Sequence, residues 1–258
     1  MDEDVGGKLS FAPIEVEKVR RAMDVGTGTG IWAIEFADQH PSCHVIGTDL
    51  SPIQPTWVPP NCEFLVDNAD LSEDAEWGFP PVDFIHSRLL VAGFQNWVPY
   101  IRRGFSTLNP GGWIELLEVE FPLKCPDGTA SAEDDPLMEW GELVTRAGDK
   151  LGCDFQVQNK FVRYLEEAGF TNIHRFDFQW PIGPWPEDED FANLGADVMK
   201  NANELLNSSK AFFTRALEWK TEDFETLLAK CRASMMDPRK HRYFPMTLHY
   251  AQKPVGKT

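Results

Sequence analysis

Short apolar runs alternate with segments of helical spacing along the first half of the chain. The apolar runs predict five strands, at residues 19–25, 43–50, 62–71, 82–91 and 113–121. Helical spacing predicts helices at residues 30–40 and 97–108, and NPGG at residues 109–112 predicts a turn. A strand, a Gly-rich turn, a helix and a second strand within about 30 residues are typical of a βαβ unit, so the first strands are expected to be parallel.

The connection between the second and third predicted strands has a different composition. Residues 51–61, SPIQPTWVPPN, contain prolines at positions 52, 55, 59 and 60. Proline lacks a backbone N–H donor, and its ring clashes with the preceding turn of a helix. We therefore predict an extended loop here rather than a crossover helix.

Helical patterns dominate the second half of the chain. Residues 135–152 predict a helix that Asp135 caps at its N-terminus and Gly152 at its C-terminus, with Pro136 at the first helical position. The other predicted elements are a helix at 160–170, a strand at 171–180, two or three helices within 188–235 and a last strand at 243–254. Strands that alternate with helices favour an α/β fold with an open, mostly parallel sheet.

Charge excludes some classes of partner. The chain has 24 Lys and Arg against 41 Asp and Glu, a formal net charge of −17, and no basic run. Because Lys and Arg contacts to phosphate dominate nucleic-acid affinity, nucleic acid is not expected as a partner, whereas a cationic ligand or a basic protein is compatible. No apolar run reaches membrane-spanning length, so we expect no membrane association.

Cysteine usage and the first residues indicate an intracellular protein. The five cysteines are odd in number and include no CxxC pair, so neither a disulfide framework nor a metal site is expected. The first residues, MDEDVGGKLSF, lack the apolar core of a signal peptide. We expect a soluble protein of the cytoplasm, the nucleus or both.

The sequence DVGTGTG carries the main candidate chemistry. Gly26, Gly28 and Gly30 follow the first predicted strand and allow the backbone to approach a ligand closely. Their order with Asp24 is DxGxGxG, whereas dinucleotide-binding loops have GxGxxG. An acid at this place opposes a phosphate at the helix N-terminus but suits an ammonium or a sulfonium. The loop therefore favours S-adenosylmethionine over a dinucleotide, with a purely structural Gly turn as the remaining alternative.

Residues at the ends of the next two strands extend this candidate site. Asp49 ends the second predicted strand, and its carboxylate can accept hydrogen bonds from both ribose hydroxyls. Asn68 and Ala69 follow the third strand, where a side-chain oxygen and a backbone N–H can contact the adenine edge. One ligand can span the three strand ends, since parallel strands share a carboxyl edge. The predicted cofactor-binding residues at these ends are Asp24, Gly26, Thr27, Gly28, Gly30, Asp49, Leu50, Asn68 and Ala69.

Together these segments resemble the fungal LaeA-like methyltransferases, a branch of the class I S-adenosylmethionine-dependent family. The matching segments include DVGTGTGIWAIEFADQHP, VIGTDLSPIQPTWVPPN, FLVDNAD, VDFIHSRLL, LNPGGWIELLE and WPIGPWPED. The resemblance implies a Rossmann-like sheet of seven strands, with the last strand antiparallel between the fifth and sixth, and inserted helices that form a substrate cap. It implies a single domain over residues 1–258, divided into a lead-in (1–18), a cofactor-binding half (19–121), cap helices with the sixth strand (122–242) and the last strand (243–254).

The resemblance also assigns further residues to the cofactor site, and the sequence departs from the family pattern at two places. It implies that the turn at His86, Ser87 and Arg88 closes over the cofactor. Relatives usually have an acid where Asn68 stands, so the contact with adenine is expected to be weaker here. Relatives also have a Tyr-rich helix before the first strand that covers the cofactor. This chain begins just after the corresponding point, which leaves the presence of that lid open.

Candidates for catalysis lie at the same predicted edge. Methyl transfer needs mainly alignment, and it needs a base only if the acceptor carries a proton. His86 ends the fourth predicted strand, and histidine is the side chain most often used as a general base near neutral pH, although the position is equally compatible with a packed histidine. Glu118 and Glu120 end the fifth strand and are weaker candidates.

The sequence predicts an enzyme whose acceptor is less defined. Trp57, Trp140 and Trp185 are candidates for an aromatic substrate pocket, with core packing as the alternative. The predicted function is S-adenosylmethionine-dependent methylation of a small molecule of fungal secondary metabolism, with S-adenosylhomocysteine as product. The alternative is a LaeA-like regulator in a nuclear protein complex, with weak, protein-directed or absent methylation. A dinucleotide oxidoreductase is disfavoured by Asp24 and by the glycine spacing.

Overall fold

The computed structural model describes residues 8–70 and 77–256 as an alternation of strands and helices. The strands are β1 (Arg21–Val25), β2 (His44–Asp49), β3 (Cys62–Val66), β4 (Val82–Arg88), β5 (Leu108–Val119), β6 (Thr171–Pro181) and β7 (Tyr243–Gln252). The helices are α1 (Ile31–Gln39), α2 (Trp97–Thr107), α3 (Pro136–Leu151), α4 (Phe161–Ala168), α5 (Glu189–Ser208) and α6 (Thr221–Met235). The strands form one sheet in the order β3-β2-β1-β4-β5-β7-β6.

The first five strands are parallel, and β7 runs against β5. Strands β1 to β5 pair in parallel register. The N–H of Gly111, near the start of β5, donates to the carbonyl of Lys253, just after β7, at 2.9 Å. The N–H of Glu120, just after β5, donates to Pro245 near the start of β7 at 2.8 Å. The predicted class I sheet of seven strands, with its last strand antiparallel between the fifth and sixth, is therefore confirmed.

The structure groups into two compact units. The first contains the described residues up to Glu118, residues 159–176 and the residues from Leu248 onward. The second contains residues 119–158 and 177–247. The interpretation of the whole chain as a single domain stays a prediction.

The core of the first unit forms where α1 packs on β1, β2 and β4. Ala22, Val45 and Phe84 project from the strands and belong to the same buried cluster as Trp32 and Phe36 of α1. Trp32 and Phe36 are four residues apart and therefore lie on one helix face, where their rings stack with centroids 4.7 Å apart. Asp24 and His86 follow Ala22 and Phe84 by two residues and therefore lie on this same face of the sheet.

Helix α3 of the second unit begins and ends as its sequence predicts. Oδ1 of Asp135 accepts hydrogen bonds from the N–H groups of Leu137 (2.9 Å) and Met138 (3.2 Å). Pro136 occupies the first helical position, and Gly152 ends the helix with a φ of 79°. The two caps are therefore confirmed.

The NPGG sequence does not form the predicted turn but lies within β5. Val82 pairs with Leu108, and Phe84 pairs with Trp113. An advance of two residues along β4 therefore corresponds to an advance of five residues along β5. The extra residues form a bulge in the longer strand. A Cβ at Gly112 would lie 2.9 Å from a carbonyl oxygen of the adjacent backbone, so this glycine permits a close approach between strands.

Other element bounds differ from prediction by a few residues. The third and fourth strands end at Val66 and Arg88, earlier than predicted. Leu71, the last residue of the third predicted strand, lies outside the described residues. The Pro-rich connection at residues 51–61 contains no helix, which confirms the predicted extended loop.

Candidate functional site

The loops that follow β1 to β4 share one edge of the first unit. Val25 at the end of β1 pairs with Thr48 of β2 and Ser87 of β4, and Asp49 pairs with Val66 at the end of β3. Parallel strands in this register present their carboxyl ends together, which is where ligands bind in open α/β sheets. The predicted cofactor-binding residues that follow these strands therefore lie at a common edge.

The three glycines of the loop after β1 differ in what surrounds them. Gly26, Gly28 and Gly30 have φ angles of 68°, 58° and 81°, in the left-handed region that favours glycine. A Cβ at Gly26 would lie 2.2 Å from the Leu90 side chain, and one at Gly30 would lie 2.3 Å from Phe64. A Cβ at Gly28 would meet nothing within 4 Å. Packing therefore requires the first and third glycines, whereas Gly28 borders open space that a ligand can enter.

Asp24 is buried and bound on both of its carboxylate oxygens. Oδ2 accepts a hydrogen bond from Oγ1 of Thr27 in the loop at 2.5 Å. Oδ1 lies 2.8 Å from Nδ1 of His86. Because a carboxylate only accepts, Nδ1 of His86 is the donor. In this structure Asp24 thus anchors the Gly-rich loop from inside the fold, a role that the sequence pattern did not predict.

Asp49 holds two backbone segments of the site. Its Oδ2 accepts from the N–H of Gly28 and its Oδ1 accepts from the N–H of Ser51, both at 2.9 Å. A carboxylate oxygen has two lone-pair sites, so each oxygen can accept one further hydrogen bond. The Gln54 side chain donates to the carbonyls of Gly28 (2.7 Å) and Ser51 (3.0 Å) and ties the Pro-rich loop to the Gly-rich loop.

Exposed apolar side chains follow the same strand ends. Leu50 is 68% exposed, Val66 66% and Leu89 49%. Leu89 also has a φ of 60°, which is uncommon for a residue other than glycine and is found most often at functional sites. Apolar surface beside polar groups is the composition that binds a flat, partly polar ring such as adenine.

The Asn68–Ala69 segment is held by a cation that the sequence analysis did not identify. Oδ1 of Asn68 accepts from the N–H of Asp70 at 3.0 Å, in a turn at an exposed position. The guanidinium of Arg103, a buried residue of α2, donates through Nη2 to the Ala69 carbonyl. Burial lowers the pKa of Arg103, while the nearby charges of Asp67 and Asp70 raise it.

The three residues at the end of β4 point in alternate directions. His86 is 4% exposed, and its ring lies parallel to that of Trp32, with centroids 4.0 Å apart. Ser87 is fully buried, and Arg88 is exposed. The His86 ring stacks on Trp32 and its Nδ1 bonds to Asp24, and its role as a catalytic base stays a prediction. The Ser87 side chain is buried, and the expectation that Ser87 closes over the cofactor likewise stays a prediction.

Glu118 organises the loop after β4. Its carboxylate accepts from the N–H groups of Leu90 and Val91, each at 2.9 Å, and its side chain is fully buried. Burial raises the pKa of Glu118 to about 8, although the two N–H groups lower it. Because Leu90 packs on Gly26, the Glu118 carboxylate helps to fix the position of the Gly-rich loop through Leu90. Glu120, in the second unit, pairs with Lys124 at 3.2 Å.

The three predicted substrate tryptophans have different surroundings. Trp57, in the Pro-rich loop of the first unit, is 94% exposed. Trp140 is 1% exposed in the second unit, and its indole N–H donates to Ser209 at 3.0 Å, so its assignment to a substrate pocket is corrected to core packing. Trp185 is partly exposed and stacks on His241 with centroids 4.8 Å apart.

Several residues of this site escaped prediction because their partners are distant in sequence. Arg103 and Gln54 lie in an amphipathic helix and a proline-rich loop, where polar residues are ordinary. Glu115 was missed although the sequence carried a signal for it. Together with Glu118, already a weaker catalytic candidate, it interrupts the apolar run WIELLEV, and a charged residue inside a buried strand is rare unless it is paired.

Two classes of feature are not found in the part of the chain that the structure describes. None of its helices combines the length and the apolar character needed to cross a membrane. Within the same described residues, the His, Cys, Asp and Glu side chains form no group of three or more that could bind a metal ion.

Comparison with known proteins identifies relatives along almost the whole chain. A family model described as a methyltransferase domain matches residues 2–175. The probable methyltransferase tdiE of Emericella nidulans is 32% identical over 252 residues, which are 97% of this chain and 77% of tdiE. Methyltransferase pytC of Aspergillus terreus is 33% identical over 250 residues, 96% of this chain and 75% of pytC. The protein-methionine methyltransferase laeA of Emericella nidulans is 32% identical over 255 residues, 97% of this chain and 66% of laeA.

Solved structures share the fold at low sequence identity. Phosphoethanolamine N-methyltransferase 2 of Haemonchus contortus, in complex with S-adenosyl-L-methionine, superposes with a TM-score of 0.52 at 14% identity and covers 91% of this chain and 49% of its own. The YcgJ protein of Bacillus subtilis gives a TM-score of 0.53 at 17% identity and covers 92% of this chain and 93% of its own. These two likenesses support the fold alone.

Proposed function

This chain belongs to the fungal LaeA-like methyltransferase family, and we propose that it transfers the methyl group of S-adenosylmethionine to a small organic molecule. S-adenosylhomocysteine is then the other product. The observation that carries this proposal is the open space at Gly28 beside Asp49, where a Cβ would meet nothing within 4 Å. A left-handed glycine that no packing requires is the feature expected where a ligand approaches the backbone.

The residues of this edge fit each part of S-adenosylmethionine. The remaining lone pairs of Asp49 suit the two ribose hydroxyls, and the exposed side chains of Leu50 and Val66 suit the faces of adenine. The loop at Gly26–Gly30 would hold the methionine end, with Asp24 as the nearby negative charge. A dinucleotide would instead bring a pyrophosphate toward that acid, which is unfavourable.

The chain's own residues contribute mainly position. When bound, S-adenosylmethionine supplies a methyl group on a positively charged sulfur. Asp49 would orient the ribose, while Asp24 and Glu118 hold the two loops beside it through the bonds to Thr27, Leu90 and Val91. Fixing a donor and an acceptor in one geometry converts a bimolecular reaction into an effectively unimolecular one, which is the main contribution expected here.

The acceptor class is supported by relatives and by charge. Two relatives, tdiE and pytC, are named methyltransferases, and they match 97% and 96% of this chain. The net charge of −17 favours a neutral or cationic acceptor over an acidic one. A protein acceptor is the second candidate, because laeA is named a protein-methionine methyltransferase.

Cofactor identity is tested by calorimetry with S-adenosylmethionine, S-adenosylhomocysteine and NAD. The proposal predicts binding of the first two and none of NAD; the reverse result would overturn it. Asp49→Asn should weaken S-adenosylhomocysteine binding by about 1.5–3 kcal/mol, since it removes a charged acceptor from the ribose site. Asp38→Asn, an exposed change on α1, is the matched control and should leave affinity unchanged.

Acceptor class is tested with methyl-labelled S-adenosylmethionine. We expect label from the cofactor to enter small molecules of a fungal metabolite extract and to be lost with Asp49→Asn. Label that enters only protein in a fungal lysate would support the second candidate instead.

A further inference from the structure

Three buried ionisable side chains form a row across β1, β4 and β5. Strand register pairs Asp24 with His86, and His86 with Glu115, so the three side chains project from the same face of the sheet. Their exposed fractions are 3%, 4% and 2%. Burial of ionisable groups is costly even when they are paired, and an apolar row of similar size would be no less stable. The row is therefore a candidate for a role beyond packing.

His86 is the central member of this row. Its Nδ1 donates to Asp24 at 2.8 Å, and its ring stacks on Trp32 at an interplanar angle of 5°. Its ring also faces the other acid, Glu115, across the paired strands. Burial raises the pKa of Glu115, whereas electrostatic interaction with His86 lowers it. The imidazole therefore interacts with a carboxylate on each side.

The Glu115 end of the row binds the backbone of the N-terminal segment, which we define as Leu9–Ala12. Oε2 of Glu115 accepts from the N–H groups of Phe11 (2.8 Å) and Ala12 (2.6 Å). The indole N–H of Trp32 donates to the Leu9 carbonyl at 2.7 Å. Trp32, which stacks on His86, and Glu115, its register neighbour, thus also dock the N-terminal segment.

The Asp24 end of the row binds the Gly-rich loop. Asp24 accepts from Oγ1 of Thr27 at 2.5 Å, and the N–H of Thr27 donates to the Thr48 carbonyl at 2.9 Å. The next residue, Gly28, is the glycine that borders open space. Leu9, Trp32, His86, Asp24 and Thr27 therefore form a series of contacts from the N-terminal segment to the loop, with Glu115 beside His86 on the neighbouring strand.

We propose that His86 and Glu115 are positioning residues that couple docking of the N-terminal segment to the conformation of the Gly-rich loop and hence to cofactor affinity. The affinity part rests on the proposed function, whereas the coupling of segment to loop is a property of the protein alone. Linkage is reciprocal, so cofactor binding must in turn protect the docked segment.

The first test is amide hydrogen exchange without any ligand. Glu115→Leu removes the acceptor for Phe11 and Ala12. We expect faster exchange at these two amides and, through the row, an increase of about fivefold or more at Thr27 and Gly28. Exchange at Val45 of β2 should stay unchanged, which separates coupling from general destabilisation.

Variants at His86 test transmission through the centre of the row. His86→Leu removes the donor to Asp24 and should speed exchange at Thr27 and Gly28. His86→Asn places an amide N–H near the position of Nδ1 and should restore slow exchange. In the double variant His86→Leu/Glu115→Leu, exchange at Thr27 and Gly28 should be no faster than in the faster of the two single variants. The reason is that both changes break the same connection.

A second His–Glu pair of the first unit supplies the matched control. His44 and Glu63 lie 2.7 Å apart between β2 and β3, but both are exposed, and neither contacts the segment or the loop. Glu63→Leu should leave exchange at Thr27 and Gly28 at the wild-type rate. If Glu115→Leu does not fold, Trp32→Phe keeps an aromatic ring beside His86, removes the donor to Leu9 and shortens the side chain in the core, and the same exchange pattern is expected.

Calorimetry with S-adenosylhomocysteine completes the test. Glu115→Leu should bind it about fivefold or more weakly. Faster exchange at Phe11 and Ala12 with no change at Thr27 and Gly28 would overturn the coupling. If the wild type binds S-adenosylhomocysteine and Glu115→Leu binds it equally well, only the proposed effect on cofactor affinity is overturned. A wild type that binds neither S-adenosylmethionine nor S-adenosylhomocysteine would instead overturn the proposed function, while the exchange result still decides the coupling.

Discussion

At the scale of single residues, backbone conformation and open space coincide at Gly28. Gly28→Ala places a methyl group at a φ of 58°, at a cost of about 1–2 kcal/mol, and directs it into the space assigned to the cofactor. We expect calorimetry to show at least tenfold weaker binding of S-adenosylhomocysteine, because the substitution blocks the approach as well as straining the loop.

Gly128 provides the control for Gly28. It has a φ of 72° and likewise meets nothing within 4 Å, but it lies in an exposed turn of the second unit. Gly128→Ala should lower the free energy of unfolding by a similar amount and leave affinity unchanged. Equal affinity losses in the two variants would contradict the assignment of Gly28 to the site.

Glu118 makes a specific contribution to pH dependence. Burial raises its pKa from 4.5 to about 8, so the folded protein binds this proton more tightly than the unfolded chain. Its contribution to stability is therefore complete below about pH 4.5 and is lost as pH rises to 8. In urea unfolding between pH 5 and 8, the decline in stability should be smaller in Glu118→Gln than in the wild type. An NMR titration that places the Glu118 carboxyl near its ordinary pKa would refute this.

At the scale of elements, an N-cap in the second unit also neutralises a buried cation. Asp135 caps α3, and its carboxylate lies 3.0 Å from the guanidinium of Arg242, with both side chains fully buried. Asp135→Ala removes the cap and leaves an unpaired charge in the core. We expect a loss of about 3–5 kcal/mol in the free energy of unfolding, measured with urea.

Helix α5 offers the corresponding cap without the buried cation. Asp188 accepts from the N–H groups of Asp190 and Phe191, each at 3.0 Å, at exposed positions. Asp188→Ala should therefore cost only about 1 kcal/mol, the ordinary effect of losing an N-cap. If both substitutions cost the same, Arg242 does not depend on Asp135 as described.

Elements differ in how far local sequence determines them. The caps of α3 were predictable because Asp135, Pro136 and Gly152 act within one turn of their own positions. The NPGG segment was mispredicted because its extended conformation depends on strands on both sides, which pair with residues distant in sequence. Hydrogen bonds to the neighbouring strands and the close approach of those strands favour an extended chain here, and they outweigh the local turn propensity of NPGG.

At the scale of the whole molecule, the net charge affects the stability of the folded state directly. A charge of −17 makes the folded state repel itself, and salt screens that repulsion. The Debye length falls from about 30 Å at 0.01 M to about 8 Å at 0.15 M salt. We therefore expect the free energy of urea unfolding to rise with NaCl over this range. A fall would show that favourable ion pairs outweigh the repulsion.

The sequence by itself determined the order of the main elements and the places where candidate ligands could be sought. Hydrophobic periodicity and caps act over a few residues, so they are legible without a structure. The strand ends at Asp24, Asp49 and Asn68 were recognisable for this reason, as was the family that they resemble.

Tertiary structure alone decided what those side chains do. Asp24 binds His86, 62 residues away, and the His86 ring stacks on Trp32. The ligand-facing role of Asp24 and the role of His86 as a base stay predictions. Parallel register brought Glu115 into the same row. Such partners are invisible in a sequence pattern, because pairing across a sheet depends on how strands align in space and on burial that makes an unpaired charge too costly.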